Sequence, residues 1–368
     1  MKRTISIDAR MIHSTGIGAY LRNLLENIAT IDNEFQFQVL CSEGESLPEL
    51  PAGQFEFRKA QASIYSLREQ WVIPRLTAKT DLLHCPHYNI PYFYRGPLVV
   101  TIHDLTHLLH RDFRPNQFAY LYARFMLTTA AKRAARIITN SQFTTRSIQE
   151  RLRVPDQKIR MIYPALSDGY RRNNASLNPS RLRELQVSGP YILFVGLLKP
   201  HKNVHGLIRA FARLPVEKQN LYQLVIAGKK DKSYPDLERL TVQLGLERKV
   251  VFTGYVSDLD LDALYTGATV FVLPSFNEGF GLPVLEAMAH GVPVVVSDRS
   301  SLPEVVGDAG LLVDPYDIQS IANAIEQLTA DESLRRELGR RGRDRAQLFS
   351  ARLFAKKHLE VYREVLGA

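Results

Sequence analysis

Cysteine is almost missing from these 368 residues: Cys41 and Cys85 are the two. They cannot form a disulfide framework, and no Cys-x-x-Cys pair exists to hold zinc, which fits a reducing, cytosolic setting. Long apolar runs are missing as well. No window approaches the roughly 18 to 20 apolar residues that cross a bilayer. Asp8 interrupts the first apolar run too early for the core of a signal peptide. The expectation is a chain that is neither exported nor transmembrane. Glycine (21) and proline (19) are too few for a collagen-like chain, and 45% apolar residues exclude a disordered one. There is no Gly-x-Ser-x-Gly elbow, no His-Glu-x-x-His helix and no Gly-Lys-Ser/Thr phosphate loop. His103, Asp104 and His107 do cluster, but Leu105 and Thr106 between them indicate a loop rather than a metal-binding helix face.

Negative charge is short in one place. The formal net charge is +9, with a net of +8 in residues 1–175 and +1 in residues 176–368. Between Arg111 and Arg172 there are 13 basic residues against four acids, an excess equal to that of the whole chain.

At roughly 150 residues per domain, this length suggests two or three domains. Short β-branched or apolar runs alternate with helical patterns throughout, which argues for parallel α/β architecture. In the first half the strand candidates are Thr4–Asp8, Gln36–Cys41, Asp81–His84, Leu98–His103 and Arg136–Asn140. In the second half they are Tyr191–Val195, Gln223–Ala227, Val250–Thr253, Val270–Leu273, Val292–Val296 and Leu311–Val313. The rhythm lapses near Pro164–Pro190. Two Rossmann-like domains are therefore expected, 1–170 and 190–349, joined by a linker at 171–189.

Ligands of open α/β sheets bind at the carboxyl ends of the strands, so polar and Gly-rich residues just after strands are the candidates. The most specific runs from Pro274 to Gly291. Gly279 and Gly281 let the backbone turn tightly, and Pro283 suits the first turn of a helix. The amides of Phe280, Gly281 and Leu282 would then face an anion or a sugar hydroxyl. Glu278 reads as a loop acid and Glu286 as an acid in the helix's first turn, where it can accept two hydrogen bonds from a ribose diol.

After the strand ending at Val195, Gly196 leads through Lys199 and Pro200 to Lys202, with Asn203 as a candidate N-cap. A lysine beside a helix N-terminus is unfavourable unless an anion joins them. Lys202 thus reads either as a diphosphate clamp or as an ordinary solvent-facing lysine. The Gly16-Ile17-Gly18 loop opens a helix but lacks the third glycine of a dinucleotide fingerprint, so a plain tight turn fits equally well. His103 stands where the run Val99–Ile102 turns polar, either as chemistry or as a structural histidine.

Glu278-Gly-Phe-Gly through Glu286 resembles the Glu-x(7)-Glu motif of retaining glycosyltransferases of the GT-B fold, glycosyltransferase family 4. The Gly16-Ile17-Gly18 loop, His103-Asp104, the Gly196…Lys202-Asn203 segment and Thr253-Gly-Tyr-Val256 occur in that family's order. Within the family the chain is similar to bacterial mannosyltransferases that build O-antigen or exopolysaccharide. The resemblance implies two Rossmann-like domains facing each other across a cleft, with the C-terminal helix, 350–368, rejoining the N-terminal acceptor domain. It implies that Glu278 contacts the donor sugar's hydroxyls, Glu286 holds the ribose and Lys202 neutralises the leaving diphosphate. Amides at Gly16 and Phe280–Leu282 would touch phosphate and sugar, and Tyr255 and Val256 would border the base. His103 would bind the donor sugar near the reacting carbon.

Many members carry an arginine after the glycine matching Gly196. Here it is Leu197, which shifts that neutralisation to Lys202 or Lys199. The implied reaction is metal-independent and needs no cofactor: a hexose, mannose from GDP-mannose, moves to a glycan or polyprenyl-diphosphate-linked oligosaccharide. GDP-rhamnose, a UDP- or dTDP-sugar, or an epimerase on the same fold are the alternatives. Asp258-Leu-Asp260 and Asp260-Leu-Asp262 formally match a metal-binding pattern, but helix capping explains them.

The basic stretch contains Phe118–Arg136, in which Phe118, Leu121, Tyr122, Phe125 and Met126 fall on a helical stripe. One reading is a helix packed on its sheet with a solvated basic face. The other is that Arg124, Lys132 and Arg133 draw the N-terminal domain to an anionic membrane surface or a lipid-diphosphate acceptor, giving a cytoplasmic enzyme at the inner face of the membrane. Nucleic acid, suggested only by the basic pI, is not expected as a partner.

Overall fold

The structure, a computed structural model, describes residues 2–31, 33–42, 50–51, 53–109, 117–166, 179–231 and 236–367. The chain divides into two compact units, residues 1–165 with 349–368 and residues 166–348. Unit 1 runs β1 (Arg3–Asp8), α1 (Thr15–Ile28), β2 (Phe35–Cys41), β3 (Phe55–Lys59), α2 (Glu69–Leu76), β4 (Leu82–Cys85), β5 (Leu98–Ile102), α3 (Thr106–Leu109), α4 (Gln117–Arg133), β6 (Arg136–Thr139), α5 (Gln142–Leu152) and β7 (Ile159–Met161). Its sheet is parallel in the order β3-β2-β1-β4-β5-β6-β7.

Unit 2 runs α6 (Pro179–Glu184), β8 (Tyr191–Val195), α7 (Val204–Phe211), α8 (Val216–Leu221), β9 (Gln223–Ala227), α9 (Leu237–Gln243), β10 (Val250–Gly254), α10 (Asp258–Gly267), β11 (Val270–Leu273), α11 (Leu282–Ala289), β12 (Val294–Ser297), α12 (Leu302–Val306), β13 (Gly310–Val313), α13 (Ile318–Ala330) and α14 (Glu332–Ala346). Its sheet is parallel in the order β10-β9-β8-β11-β12-β13. The last helix, α15 (Ala351–Leu366), returns to unit 1 and packs against α1. The expected strands are all present within two residues at either end. Of the expected linker 171–189, residues through 178 lie outside the described ones, and the remainder contains α6.

Strands buried on both faces must be apolar at successive positions, and β5 shows it. Val99 joins the core beneath α1 and α15, while Leu98, Val100 and Ile102 join the core on the sheet's other face. Polar side chains on the first face therefore need partners. His84, Thr101, Tyr20, His358 and Tyr362 are all buried there, and they form one chain of hydrogen bonds.

Its direction follows from the fixed ends. His358 Nδ1 donates to the Phe354 carbonyl at 2.7 Å, so Nε2 accepts the Tyr20 hydroxyl at 2.5 Å. Tyr20 then accepts from Thr101 at 2.9 Å, and Thr101 from His84 Nε2 at 2.9 Å. His84 Nδ1 is left to accept the Tyr362 hydroxyl at 2.7 Å. Every group is satisfied with both imidazoles neutral.

The helix α4 packs on its sheet, but not through its stripe of large apolar residues. Of the stripe Phe118, Leu121, Tyr122, Phe125 and Met126, Met126 alone is buried, and the other four are exposed. The packed face of α4 is Ala123, Met126, Leu127, Ala130 and Ala131. Small side chains let the helix approach the sheet closely, so the large ones take the outer face.

Acid should unlatch unit 1. Burial pushes His358 down to about 4 and His84 well below its ordinary value. Below pH ~6.5 the unfolded chain takes up protons that the folded one refuses, so stability is lost as pH falls towards 4. At pH 5 the loss from His358 is roughly 2 kcal/mol, and His84 adds to it in the same direction. A Tm that stays flat between pH 7 and 4.5 would contradict the proton-free chain.

Candidate active site

In unit 2 the strand order reverses between β8 and β11, the switch point at which open α/β sheets take ligands. The loops after β8, β9, β11 and β12 meet there. β11 is wholly buried, and Pro274 ends it because it cannot donate to the ladder. The loop enters α11 through Gly281, whose φ of +99° favours glycine and whose added Cβ would lie 2.6 Å from Leu302. Pro283 stands in the helix's first turn, and its intrahelical bonding starts from Val284 to the Gly281 carbonyl. The amides of Gly281 and Leu282 therefore precede the ladder.

Glu278 is 8% exposed. Its Oε1 accepts from Lys202 Nζ at 2.6 Å and from the Ser275 hydroxyl at 2.7 Å. Its backbone amide donates to Ser300 Oγ at 3.0 Å, and its carbonyl accepts from Ser301 Oγ at 2.9 Å. Lys202 ends the short 3-10 turn Pro200–Lys202, and the carbonyl of His201 accepts from the amide of Phe276 at 2.8 Å. Lys202 and Glu278 thus meet as an ion pair fixed from both loops.

Asn203 stands at the N-cap of α7, its carbonyl accepting from the amide of Leu207 at 3.1 Å, but its side chain does not cap the helix. The residue adopts the left-handed conformation. Its amide donates instead to the carbonyls of Pro274 (3.1 Å) and Pro315 (2.7 Å), tying three loops together. Glu286 is also displaced from its expected position, standing in the second turn of α11. It accepts from the Tyr265 hydroxyl at 2.8 Å, and burial raises its pKa to about 6 against that bond and the nearby His290. Ser257 caps α10 by accepting from the Asp260 amide, while Asp260 pairs with Arg181 and Asp262 with His290.

A residue overlooked in the sequence is Lys229. Gly228 permits its approach: a Cβ there would lie 1.9 Å from the Gly196 carbonyl. The amide of Leu198 donates to the Lys229 carbonyl at 2.9 Å, so this lysine runs beside Gly196–Leu198. Its ammonium sits 4.8 Å from the ring centroid of Tyr255, which is 71% exposed just past β10, with Val256 half-buried beside it. A Gly-Lys directly after an apolar strand was the available signal.

In unit 1, His103 directly follows β5. Its Nε2 must donate to the Pro86 carbonyl (2.9 Å), and its ring packs edge-on to Tyr20 at 4.9 Å. Burial lowers its pKa, so the neutral ring keeps Nδ1 as an acceptor. Gly16 lies exposed in the first turn of α1, which has no side-chain cap.

Beside this strand end, Arg10 is buried between two acids. It reaches Asp8 through Nε at 2.8 Å and Nη2 at 2.6 Å, and Glu69 at 3.0 Å. Asn89 donates to Glu69 at 2.8 Å and accepts from the Tyr122 hydroxyl. A small pocket lined by Asp8, Ile17, Cys85, His87 and Asn89 opens beside them. In the sequence Asp8 served only to exclude a signal peptide; the break in polarity at the end of β1 was the signal for this cluster. On α4, Arg124 and Lys132 are exposed, and Arg133 bonds to the Tyr92 carbonyl and lies over its ring.

The family model Glycosyltransferase Family 4 matches residues 14–168, and Glycosyl transferases group 1 matches residues 183–345. The chain is 35% identical to O-antigen chain mannosyltransferase B of Escherichia coli over 79% of this chain and 76% of that one. The chain belongs to glycosyltransferase family 4. This glycosyltransferase is also 33% identical to the serotype-specific mannosyltransferase WbdA of Escherichia coli, over 69% of its own length but 31% of that longer protein. Its GT-B fold is that of a sucrose-phosphate synthase from Thermosynechococcus elongatus, with a TM-score of 0.81 over 99% of both chains at 22% identity.

Arg10 offers a direct check on the unit 1 cluster. Arg10→Met leaves two buried carboxylates on no cation and should cost roughly 3–5 kcal/mol in urea unfolding. A loss under 1 kcal/mol would show the cluster to be solvated.

Proposed function

We propose that this family 4 glycosyltransferase moves mannose from GDP-mannose onto a lipid-linked glycan, retaining the anomeric configuration and using no metal. The product would belong to a cell-surface polysaccharide assembled at the inner face of the cytoplasmic membrane. The observation that carries the reading is the Lys202–Glu278 pair at the switch point of unit 2. The 35% identity to an O-antigen chain mannosyltransferase supports the choice of sugar.

In this reading Lys202, with Lys229 in support, meets the diphosphate, and the amides of Gly281 and Leu282 add their dipoles. Glu278 accepts from the sugar's hydroxyls, and Glu286 from the ribose diol. The glycosidic C–O bond breaks with its electron pair passing to the diphosphate, whose growing charge these cations stabilise. The acceptor hydroxyl attacks from the same face and gives its proton to the leaving phosphate oxygen. Nδ1 of His103 accepts a donor-sugar hydroxyl near the reacting carbon. Asp260 and Asp262 have partners of their own, so a metal is not needed to explain them.

A panel of nucleotide sugars scored by thermal protection tests the donor. GDP-mannose at a hundred times its Kd should add about 2.7 kcal/mol of stability. Protection by a UDP- or dTDP-sugar instead would overturn the mannose reading. Glu278→Ala and Lys202→Ala should each lower kcat at least ~100-fold; near-native turnover in either would reject the site.

Glu286 adds a pH signature. Its carboxylate accepts from the ribose as the anion, so KM for the donor should rise as pH falls through about 6. Glu286→Gln should flatten that rise. A pH-independent donor KM in the native enzyme would contradict the role.

A further inference from the structure

Three buried side-chain atoms have no hydrogen-bond partner among the described residues: Glu69 Oε2, Arg136 Nε and Asn140 Oδ1. The first two belong to ions that are paired, Glu69 with Arg10 at 3.0 Å and Arg136 with Glu364 at 2.7 Å. Asn140 is neutral and has no such compensation. It is 4% exposed and directly follows β6. A buried acceptor left unmet weakens the free protein, so each one calls for an explanation.

The register places Asn140 beside a residue already at the site. Ile102 of β5 pairs with Thr139 of β6, so His103 and Asn140 stand next to each other one position beyond their strands. Neighbouring strands run about 4.8 Å apart. Side chains alternate along a strand, and Val99 and Ile138 share the core beneath α1 and α15. Counting on by twos carries His103 and Asn140 to that same face, where the His103 ring meets Tyr20. The turn that holds Asn140 is tied down from its other side. Ser141 Oγ accepts from the Thr144 amide at 3.0 Å, and the Thr144 hydroxyl donates to the His103 carbonyl at 3.2 Å.

Two acceptors thus lie side by side: Nδ1 of the neutral His103 ring and the carboxamide oxygen of Asn140. Neither is a cation, so a phosphate or carboxylate gains nothing from them. A pair of neighbouring hydroxyls supplies the two donors that they lack. We infer that Asn140 is a further substrate-binding residue, its carboxamide oxygen accepting a hydroxyl of the donor hexose next to the one that His103 meets. The inference rests on the reading that His103 meets the donor sugar.

Replacing the oxygen by an apolar group of similar size tests it. Asn140→Leu should keep the native Tm or raise it, because an unmet acceptor is removed. Its Kd for GDP-mannose should rise about tenfold while its Kd for GDP stays native. Asn140→Ala, which is smaller, should show the same split and serves if leucine does not fit. One mono-deoxy GDP-mannose should bind the native enzyme about tenfold more weakly and lose nothing further in the variant. Native affinity for GDP-mannose in both variants overturns the inference. So does an equal loss for GDP and GDP-mannose, or a variant that weakens every deoxy donor as much as the parent. If the native enzyme takes another nucleotide sugar and not GDP-mannose, the mannose reading falls, and the same comparison made with that sugar and its nucleotide decides Asn140.

Discussion

A carboxylate that is 8% exposed must be compensated where it stands, and for Glu278 compensation comes from Lys202 and Ser275 on the same oxygen. Much of unit 2's loop architecture follows from that requirement. Lys202 must arrive from the end of β8, so the turn Pro200–Lys202 is short. The loop after β11 must be held to it, which the His201–Phe276 backbone bond and the Asn203 side chain accomplish. Ser300 and Ser301 then hold the Glu278 backbone from the next loop. A parallel sheet alone brings strand ends together; these bonds fix which atoms meet.

Unit 1 solves a different problem with the same means. Its sheet buries two histidines and two tyrosines where an apolar face would suffice, and each must then be satisfied from a distant segment. His358 and Tyr362 come from the last helix, so the chain of hydrogen bonds ties the C-terminal segment to β4, β5 and α1. Tyr20 also forms an edge of the His103 site. The histidine nearest the expected chemistry therefore rests on a network that works only while its imidazoles are neutral.

The sequence was most legible where the signal was local. Apolar runs ending in glycine or polar residues marked the strands within two residues, and the Glu278–Glu286 frame marked the loop after β11. It was least legible where partners lie far apart in the chain. β3 was missed because four of its five residues are exposed at the sheet's edge. Nothing near Asn203 announces the carbonyls of Pro274 and Pro315, so its N-cap position was legible while the partners of its side chain were not. Periodicity showed that α4 has a large apolar stripe and could not show which way it faces. Asp8, Arg10 and Glu69 form a cluster only once β1 and α2 are side by side.

On the proposed reading, the Lys202–Glu278 pair has a further consequence for binding. Without a donor, each group is the other's counter-charge, so neither carries an uncompensated buried charge. A nucleotide sugar presents both complements at once: a diphosphate for the lysine and hydroxyls for the carboxylate. Binding then exchanges one set of partners for another instead of stripping water from two isolated ions, which keeps the desolvation cost low. A nucleotide lacking the sugar satisfies only Lys202 and leaves Glu278 leaning on Ser275, while a free sugar does the reverse. Discrimination in favour of the whole donor thus arises from the pairing itself, since each fragment breaks an ion pair that it can only half replace.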